Sequence, residues 1–207
     1  MMSDSAVAAP GRLIYIVGPS GAGKNSVIAA AKERSENINK NKDLYFASRY
    51  VTRTEGSDAD DLAISSTAFR HYQLAGLFAL DWQAHGNFYG IGTVINTPLL
   101  AGKTVVVNGS RAYAAQALLK YPAMIVVEIS VAPEVARARL TARGRESRDA
   151  IEARVMRAPL VTAPANQIVT IDNSGPLTDA AEALAQVLLG SDAQVAARVD
   201  GCRVAMR

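Results

Sequence analysis

Gly18-Pro19-Ser20-Gly21-Ala22-Gly23-Lys24 follows directly on the apolar run Leu13-Ile14-Tyr15-Ile16-Val17. The seven residues have the G-x-x-x-x-G-K spacing of a phosphate-binding loop, or P-loop. Each part has a physical task. Glycines let backbone N–H groups turn toward an anion, and a helix opening at Lys24 points the positive end of its dipole at the same place. The lysine adds a point charge that reaches the terminal phosphates of a nucleotide. The run before the loop reads as a buried strand, and from Lys24 to Arg34 the residues Val27, Ile28 and Ala31 give a helix one apolar face. A plain glycine turn would leave Lys24 unexplained. Strand, loop and helix in this order mark a nucleotide site on Gly18, Pro19, Ser20, Gly21, Ala22, Gly23 and Lys24.

The position after the lysine departs from the pattern. A Ser or Thr that ligates magnesium usually stands there; this chain has Asn25, followed by Ser26. Mg²⁺ seeks hard oxygen donors and keeps several waters. The Asn25 side-chain carbonyl and the Ser26 hydroxyl both qualify, and the residues alone leave the choice open.

Outward from the loop, strands and helices alternate. Ser35 to Asp43 is polar and reads as a loop, Phe46 to Val51 as a second strand, and Glu55 to Asp61 as an acidic, solvated loop. Leu62 to Gly92 is mixed, with short strands around a helix at Thr67–Leu74. Thr104–Val107 reads as a strand, Arg111–Lys120 as a helix and Ile125–Val131 as a strand. Helices are expected at Pro133–Ala142 and Ser147–Ala158, a last strand at Ile168–Ile171, and a last helix through Leu177, Ala181, Leu184 and Leu188 to Gly190. This alternation predicts an α/β fold of the P-loop NTPase kind, with a mainly parallel sheet flanked by helices. One domain covers residues 11–190. The block 43–95 breaks the alternation and reads as a small inserted subdomain. Residues 1–10 read as disordered and 191–207 as a loose tail.

Composition narrows the function classes. The 207 residues are 49% hydrophobic and 20% charged, as in a globular protein. The single cysteine, Cys202, rules out an internal disulfide and fits a reducing compartment. The first ten residues lack the features of a secretory signal, and no apolar run approaches the roughly 20 residues that span a bilayer. A cytoplasmic protein with no membrane partner is expected. The net charge of +3 is too mild to argue for nucleic acid. It is also unevenly placed. Arg137, Arg139, Arg143, Arg145, Arg148, Arg154 and Arg157 stand against only Glu146, Asp149 and Glu152, so this one segment carries more net positive charge than the whole chain. Gly144 interrupts it, giving helix, turn and helix with arginines around the turn. Beside a P-loop, that suits an arginine-rich lid over phosphates, because planar guanidinium groups grip phosphoryl oxygens two at a time. No aromatic residues interleave the charge, as single-stranded nucleic acid would need.

With these features placed, the chain resembles the guanylate kinase superfamily and, more closely, the ribose 1,5-bisphosphate phosphokinases of phosphonate breakdown. The resemblance runs over about residues 12–190. It is carried by GPSGAGK (18–24), by Arg49-Tyr50-Val51-Thr52-Arg53, by the block from Asp81-Trp82 to Asn87-Phe88-Tyr89-Gly90, by Arg139 to Gly144 with Arg154 beyond, and by Asp172-Asn173. Departures separate the two families. Leu62 stands where guanylate kinases place a phosphate-binding tyrosine, Ile91 replaces a serine, and Val107-Asn108-Gly109-Ser110 replaces a strand end with two acids. A site that reads guanine must pair its polar edge or lose affinity. The runs GKNS (23–26) and VNGSRA (107–112) are similar to the ribose-bisphosphate enzymes instead.

The resemblance implies transfer of the γ-phosphoryl group of ATP, with Mg²⁺, to a small phosphorylated sugar, ribose 1,5-bisphosphate. It implies that Lys24 and the loop amides hold the ATP phosphates, that Asn25 or Ser26 serves the metal and that Asn173 lies on the adenine side. Arg49, Arg53 and Tyr89 would hold the acceptor, with Asp81 near its ribose and Asn108, Ser110 and Arg111 at the ribose or at the waters of the metal. Arg139, Arg143 and Arg154 would close over the transferring group. Trp82 reads as core, His71 as a surface helix residue, and His85 lies beside the acceptor block. Two other functions compete: a guanylate or other nucleoside monophosphate kinase, and a non-catalytic guanylate kinase-like interaction module. The sequence leaves the oligomeric state open.

Overall fold

The computed structural model describes residues 11–38, 43–53, 61–84, 86–144, 147–156, 163–164 and 167–190. The expected disordered start (1–10) and loose tail (191–207), the acidic stretch 55–60, His85, Arg145, Glu146, Arg157 and Cys202 lie outside the described residues. The elements are β1 (Arg12–Val17), α1 (Lys24–Ile38), β2 (Leu44–Phe46), β3 (Arg49–Val51), β4 (Asp61–Ala63), α2 (Ser66–Leu74), β5 (Phe78–Ala84), β6 (Asn87–Gly92), α3 (Asn96–Leu100), β7 (Thr104–Asn108), α4 (Ala114–Lys120), β8 (Ile125–Ser130), α5 (Pro133–Arg143), α6 (Arg148–Met156), β9 (Ile168–Asp172) and α7 (Leu177–Leu189). Single 3₁₀ turns precede α3 (Thr93–Ile95) and α4 (Arg111–Tyr113).

The chain divides into two compact units. The first joins the start of the chain, up to Leu13, to Asp43–Val107; the second joins Ile14–Lys42 to the residues from Asn108 onward.

In the second unit β8 pairs in parallel with β1 on one side and β9 on the other. Ile14, Ile16, Val17, Val126, Val127 and Ile129 are all buried, the near-continuous apolar pattern of strands covered on both faces. Helix α1 packs against α7. The α1 face is Val27, Ile28, Ala31 and Ser35, and α7 buries Ala180, Ala181, Leu184, Ala185, Val187 and Leu188. That face explains why α1 outlasts the expected stop at Arg34. Ser35 falls on the buried stripe, 1% exposed, so packing carries the helix through a polar stretch to Ile38.

In the first unit β2 pairs in parallel with β7, and a four-stranded sheet runs β4-β3-β6-β5. The expected single strand Phe46–Val51 is two strands. Leu44–Phe46 belongs with β7, while Arg49–Val51 lies between β4 and β6, so the chain changes sheets at Ala47-Ser48. The four-stranded sheet has its own aromatic core: Phe69 packs against Phe78 at 4.6 Å and stacks on Phe88 at 5.4 Å, and Tyr50 and Tyr72 extend it. Trp82 is buried, as expected, and His71 is exposed on α2. Asp61 overturns its assignment to a solvated loop. It opens β4 opposite Arg49, and its side chain is 3% exposed.

Candidate active site

The P-loop connects β1 to α1 in the second unit. Gly23 adopts φ 75°, and a side chain there would meet the Asn173 amide nitrogen at 2.8 Å, so both the backbone conformation and the space demand glycine. Lys24 donates from Nζ to the Gly18 carbonyl at 2.8 Å, folding the lysine back over its own loop. Asn173, 2% exposed, donates from Nδ2 to the Ala22 carbonyl at 2.7 Å. The residue expected on the adenine side thus also braces the P-loop backbone.

Two arginines of the expected lid lie at this loop. Arg154 on α6 donates to the Ser20 hydroxyl oxygen from Nη2 at 2.6 Å and from Nε at 3.2 Å. Arg139 on α5 brings Nη1 within 3.7 Å of the point where a Gly23 side chain would begin, and that nitrogen is buried without a hydrogen-bond partner. A buried guanidinium N–H left unsatisfied is costly unless an anion completes it. Arg143 is exposed at the C-terminal end of α5, where Gly144, φ 61°, caps the helix in the left-handed conformation. Arg137 and Glu152 tie α5 to α6 by a two-pronged contact of 2.5 and 3.0 Å. That hydrogen bond holds the Glu152 carboxyl below its usual range and raises the Arg137 guanidinium above its own.

Asn25 and Ser26 are exposed on the first turn of α1. The Asn25 side-chain carbonyl accepts from Asn108 Nδ2 at 2.8 Å, and Asn108 Oδ1 is buried without a partner. These are neutral amide and hydroxyl oxygens, the hard donors that Mg²⁺ accepts, so the residues present fit that ion. Among the described residues, no cluster of three or more His, Cys, Asp or Glu could hold a metal. The following turn is fixed from below. The buried Tyr15 hydroxyl accepts the Ser110 amide at 2.9 Å, and Gly109 lies so close to the Tyr15 ring that a methyl group would sit 2.0 Å from it. Arg111 is half-buried; desolvation lowers its guanidinium pKa and the charge of Glu128 opposes that shift.

The remaining site residues are in the first unit. Asp61 grips Arg49 with both oxygens, Nε at 2.9 Å and Nη2 at 3.1 Å, and Arg53 Nη2 lies 3.9 Å from the same carboxylate. The Arg49 guanidinium carbon sits 5.1 Å from the Tyr89 ring centre, and Tyr89 stacks on Trp82 at 5.6 Å. Thr52 locks β6 beside them: its hydroxyl accepts the Phe88 amide at 3.0 Å, while its own amide donates to the Phe88 carbonyl at 3.1 Å. Asp81 accepts from Gln73 Nε2 at 2.7 Å. Arg49, Arg53 and Tyr89 therefore form one cluster, with Asp81 held separately. Sequence reasoning missed Asp61 and Tyr15. The only trace of Tyr15 was a hydroxyl in an otherwise aliphatic buried strand.

The fold and the loop define a nucleotide-binding α/β protein of the guanylate kinase-like kind. Its structure is similar to that of guanylate kinase from Anaplasma phagocytophilum, with a TM-score of 0.61 over 89% of this chain and 90% of that one, at 13% identity. No family model matches the chain. Whole-sequence relatives place it more narrowly. Proteins named ribose 1,5-bisphosphate phosphokinase PhnN are 43% identical in Desulfomicrobium baculatum (86% of this chain, 94% of the relative) and 42% identical in Burkholderia pseudomallei (86% and 96%). The one from Thiobacillus denitrificans is 41% identical (88% and 95%). The chain belongs to the ribose 1,5-bisphosphate phosphokinase family.

Proposed function

We propose that this protein is a cytoplasmic kinase that transfers the γ-phosphoryl group of ATP to the 1-phosphate of ribose 1,5-bisphosphate, yielding 5-phosphoribosyl 1-diphosphate and ADP in phosphonate degradation. An oxygen of the acceptor's 1-phosphate bonds to the γ-phosphorus as the bond from that phosphorus to the β–γ bridging oxygen breaks. The acceptor oxygen needs no strong base, because a phosphate monoester is largely ionised at neutral pH, its second pKa lying near ~6. Positioning and charge neutralisation carry such a reaction. One observation supports the reading above the others: Arg139, with a buried and unpartnered N–H, and Arg154 stand at the P-loop, where a γ-phosphoryl group would need them.

Lys24 exchanges its loop carbonyl for phosphate oxygens, and the loop amides bind the rest of the triphosphate. Mg²⁺ would be held by Asn25 or Ser26, with Asn108 supporting Asn25, and supplies further neutralisation of the phosphates when bound. Arg49, Arg53 and Tyr89 hold the acceptor's phosphates. Asp81, Asn108, Ser110 and Arg111 are assigned to its ribose, and Arg143 joins the lid.

Phosphorus NMR tests the assignment. Protein and Mg-ATP with ribose 1,5-bisphosphate should give a new diphosphate signal, and the same mixture with GMP should not. Turnover with GMP alone would replace this reading by a nucleoside monophosphate kinase.

A further inference from the structure

Nothing in phosphoryl transfer calls for a buried acid among residues that grip a polyanion, yet Asp61 is there. Its side chain is 3% exposed, and β3–β4 pairing sets it directly opposite Arg49. Its two oxygens take the Nε and Nη2 edge of Arg49 at 2.9 and 3.1 Å. The geometry is the fork-on-fork pairing that fixes a guanidinium plane as well as its position. Tyr89 closes the face of the same guanidinium at 5.1 Å and is itself stacked on Trp82. Arg53 shares the carboxylate at 3.9 Å. An exposed arginine retains rotamer freedom that binding must then remove. Held at one edge and one face, Arg49 has lost it in advance, and its Nη1 edge is turned away from Asp61.

We propose that Asp61 is a positioning residue of the acceptor site: it orients Arg49 toward the acceptor phosphate. This rests on the assignment of Arg49 and Arg53 to the acceptor. The carboxylate offsets one of the two arginine charges, which weakens long-range attraction for the acceptor. Orientation outweighs that loss, because a guanidinium that is charged but swings freely makes the two-point phosphate contact only part of the time.

The test is a double-mutant cycle between Asp61→Asn and Arg49→Met, read as KM for ribose 1,5-bisphosphate and KM for ATP. Asp61→Asn should raise acceptor KM about tenfold or more and leave ATP KM within about twofold. In the Arg49→Met background the same substitution should change acceptor KM by less than about twofold, because its route of action is gone. Equal effects in both backgrounds would make Asp61 a structural staple between β3 and β4 and overturn the proposal. So would an unchanged acceptor KM in Asp61→Asn when Arg49→Met raises it. An unchanged acceptor KM in Arg49→Met, with turnover intact, would instead remove Arg49 from the acceptor site and overturn the assignment beneath. If Asp61→Asn fails to fold, Asp61→Glu keeps the charge and takes its place. It should raise acceptor KM at least threefold, with the same dependence on Arg49, and an unchanged KM would overturn the proposal.

Discussion

Arg139 and Arg154 are the side chains on which the proposed chemistry turns, and they reach the P-loop from different helices. Arg154 rests on Ser20, a contact that a phosphate oxygen could replace, while Arg139 carries a buried donor with nothing to bond. Removing an arginine that stabilises a transferring phosphoryl group costs about 10³-fold or more in kcat. Arg139→Ala and Arg154→Ala should each lose that much at saturating substrates, about 4 kcal/mol of transition-state stabilisation. Lysine should restore only part of it, since an ammonium cannot make the planar two-point contact. Arg143, exposed in the last turn of α5, should cost less than either. Steady-state kinetics on the three alanine variants checks the order. Near wild-type turnover in Arg139→Ala and Arg154→Ala would remove the lid assignment altogether.

The elements around these residues hold the site through close backbone approach and ion pairing. The turn after β7 presents Asn108 and Ser110 because Gly109 lets the backbone lie on the Tyr15 ring. A methyl group at 2.0 Å from an aromatic ring buried in a strand cannot be accommodated by rotation. Gly109→Ala should therefore cost about 1–3 kcal/mol by overpacking, measured by urea denaturation, and should lower turnover beyond what the stability loss explains. Tyr15→Phe removes only the hydroxyl, so it should leave the strand packed and act on turnover chiefly. Between α5 and α6 the Arg137–Glu152 pair works as a latch. The folded carboxyl titrates below its ordinary value of 4.5 because Arg137 donates to it. Its contribution is therefore complete above that value and fades as pH falls below it. Limited proteolysis of the α5–α6 segment should accelerate in that acid window for the wild type. In Glu152→Ala it should already be fast at neutral pH and change little with acid. Both groups are solvent-exposed, so global stability should hardly move.

Over the whole molecule, what could be read in advance was what local pattern encodes. The P-loop declares itself because glycine spacing, lysine and the flanking strand and helix are contiguous in Gly18–Lys24. The seven arginines of 137–157 declare themselves by density. Asp61 could not be found that way. It lies at the end of an acidic run with the composition of a solvated loop, and only strand pairing twelve residues away from Arg49 makes it a buried partner. Ser35 was misread for a related reason: α7 supplies the surface that keeps α1 helical, and no window around Ser35 contains α7. The sheet change at Ala47-Ser48 was invisible because both flanking trios look like strand. The family assignment, by contrast, draws on matches spread over most of the chain, and it supplies the sharpest test of the molecule as a unit. A ligand that binds only the folded state stabilises it by about 2.7 kcal/mol at a hundredfold excess over Kd. For a chain of this size that is roughly 5–10 °C in melting temperature. Mg-ATP should produce a shift of that order in the wild type, and Lys24→Ala should abolish most of it, because Lys24 is the cation of the P-loop itself. A catalytically inert relative of the fold, kept only as an interaction module, would have no reason to respond. A flat melting curve with Mg-ATP would thus favour that module over the kinase, whereas a shift that disappears with Lys24 would tie nucleotide binding to this loop and leave the acceptor as the remaining question for the NMR assay.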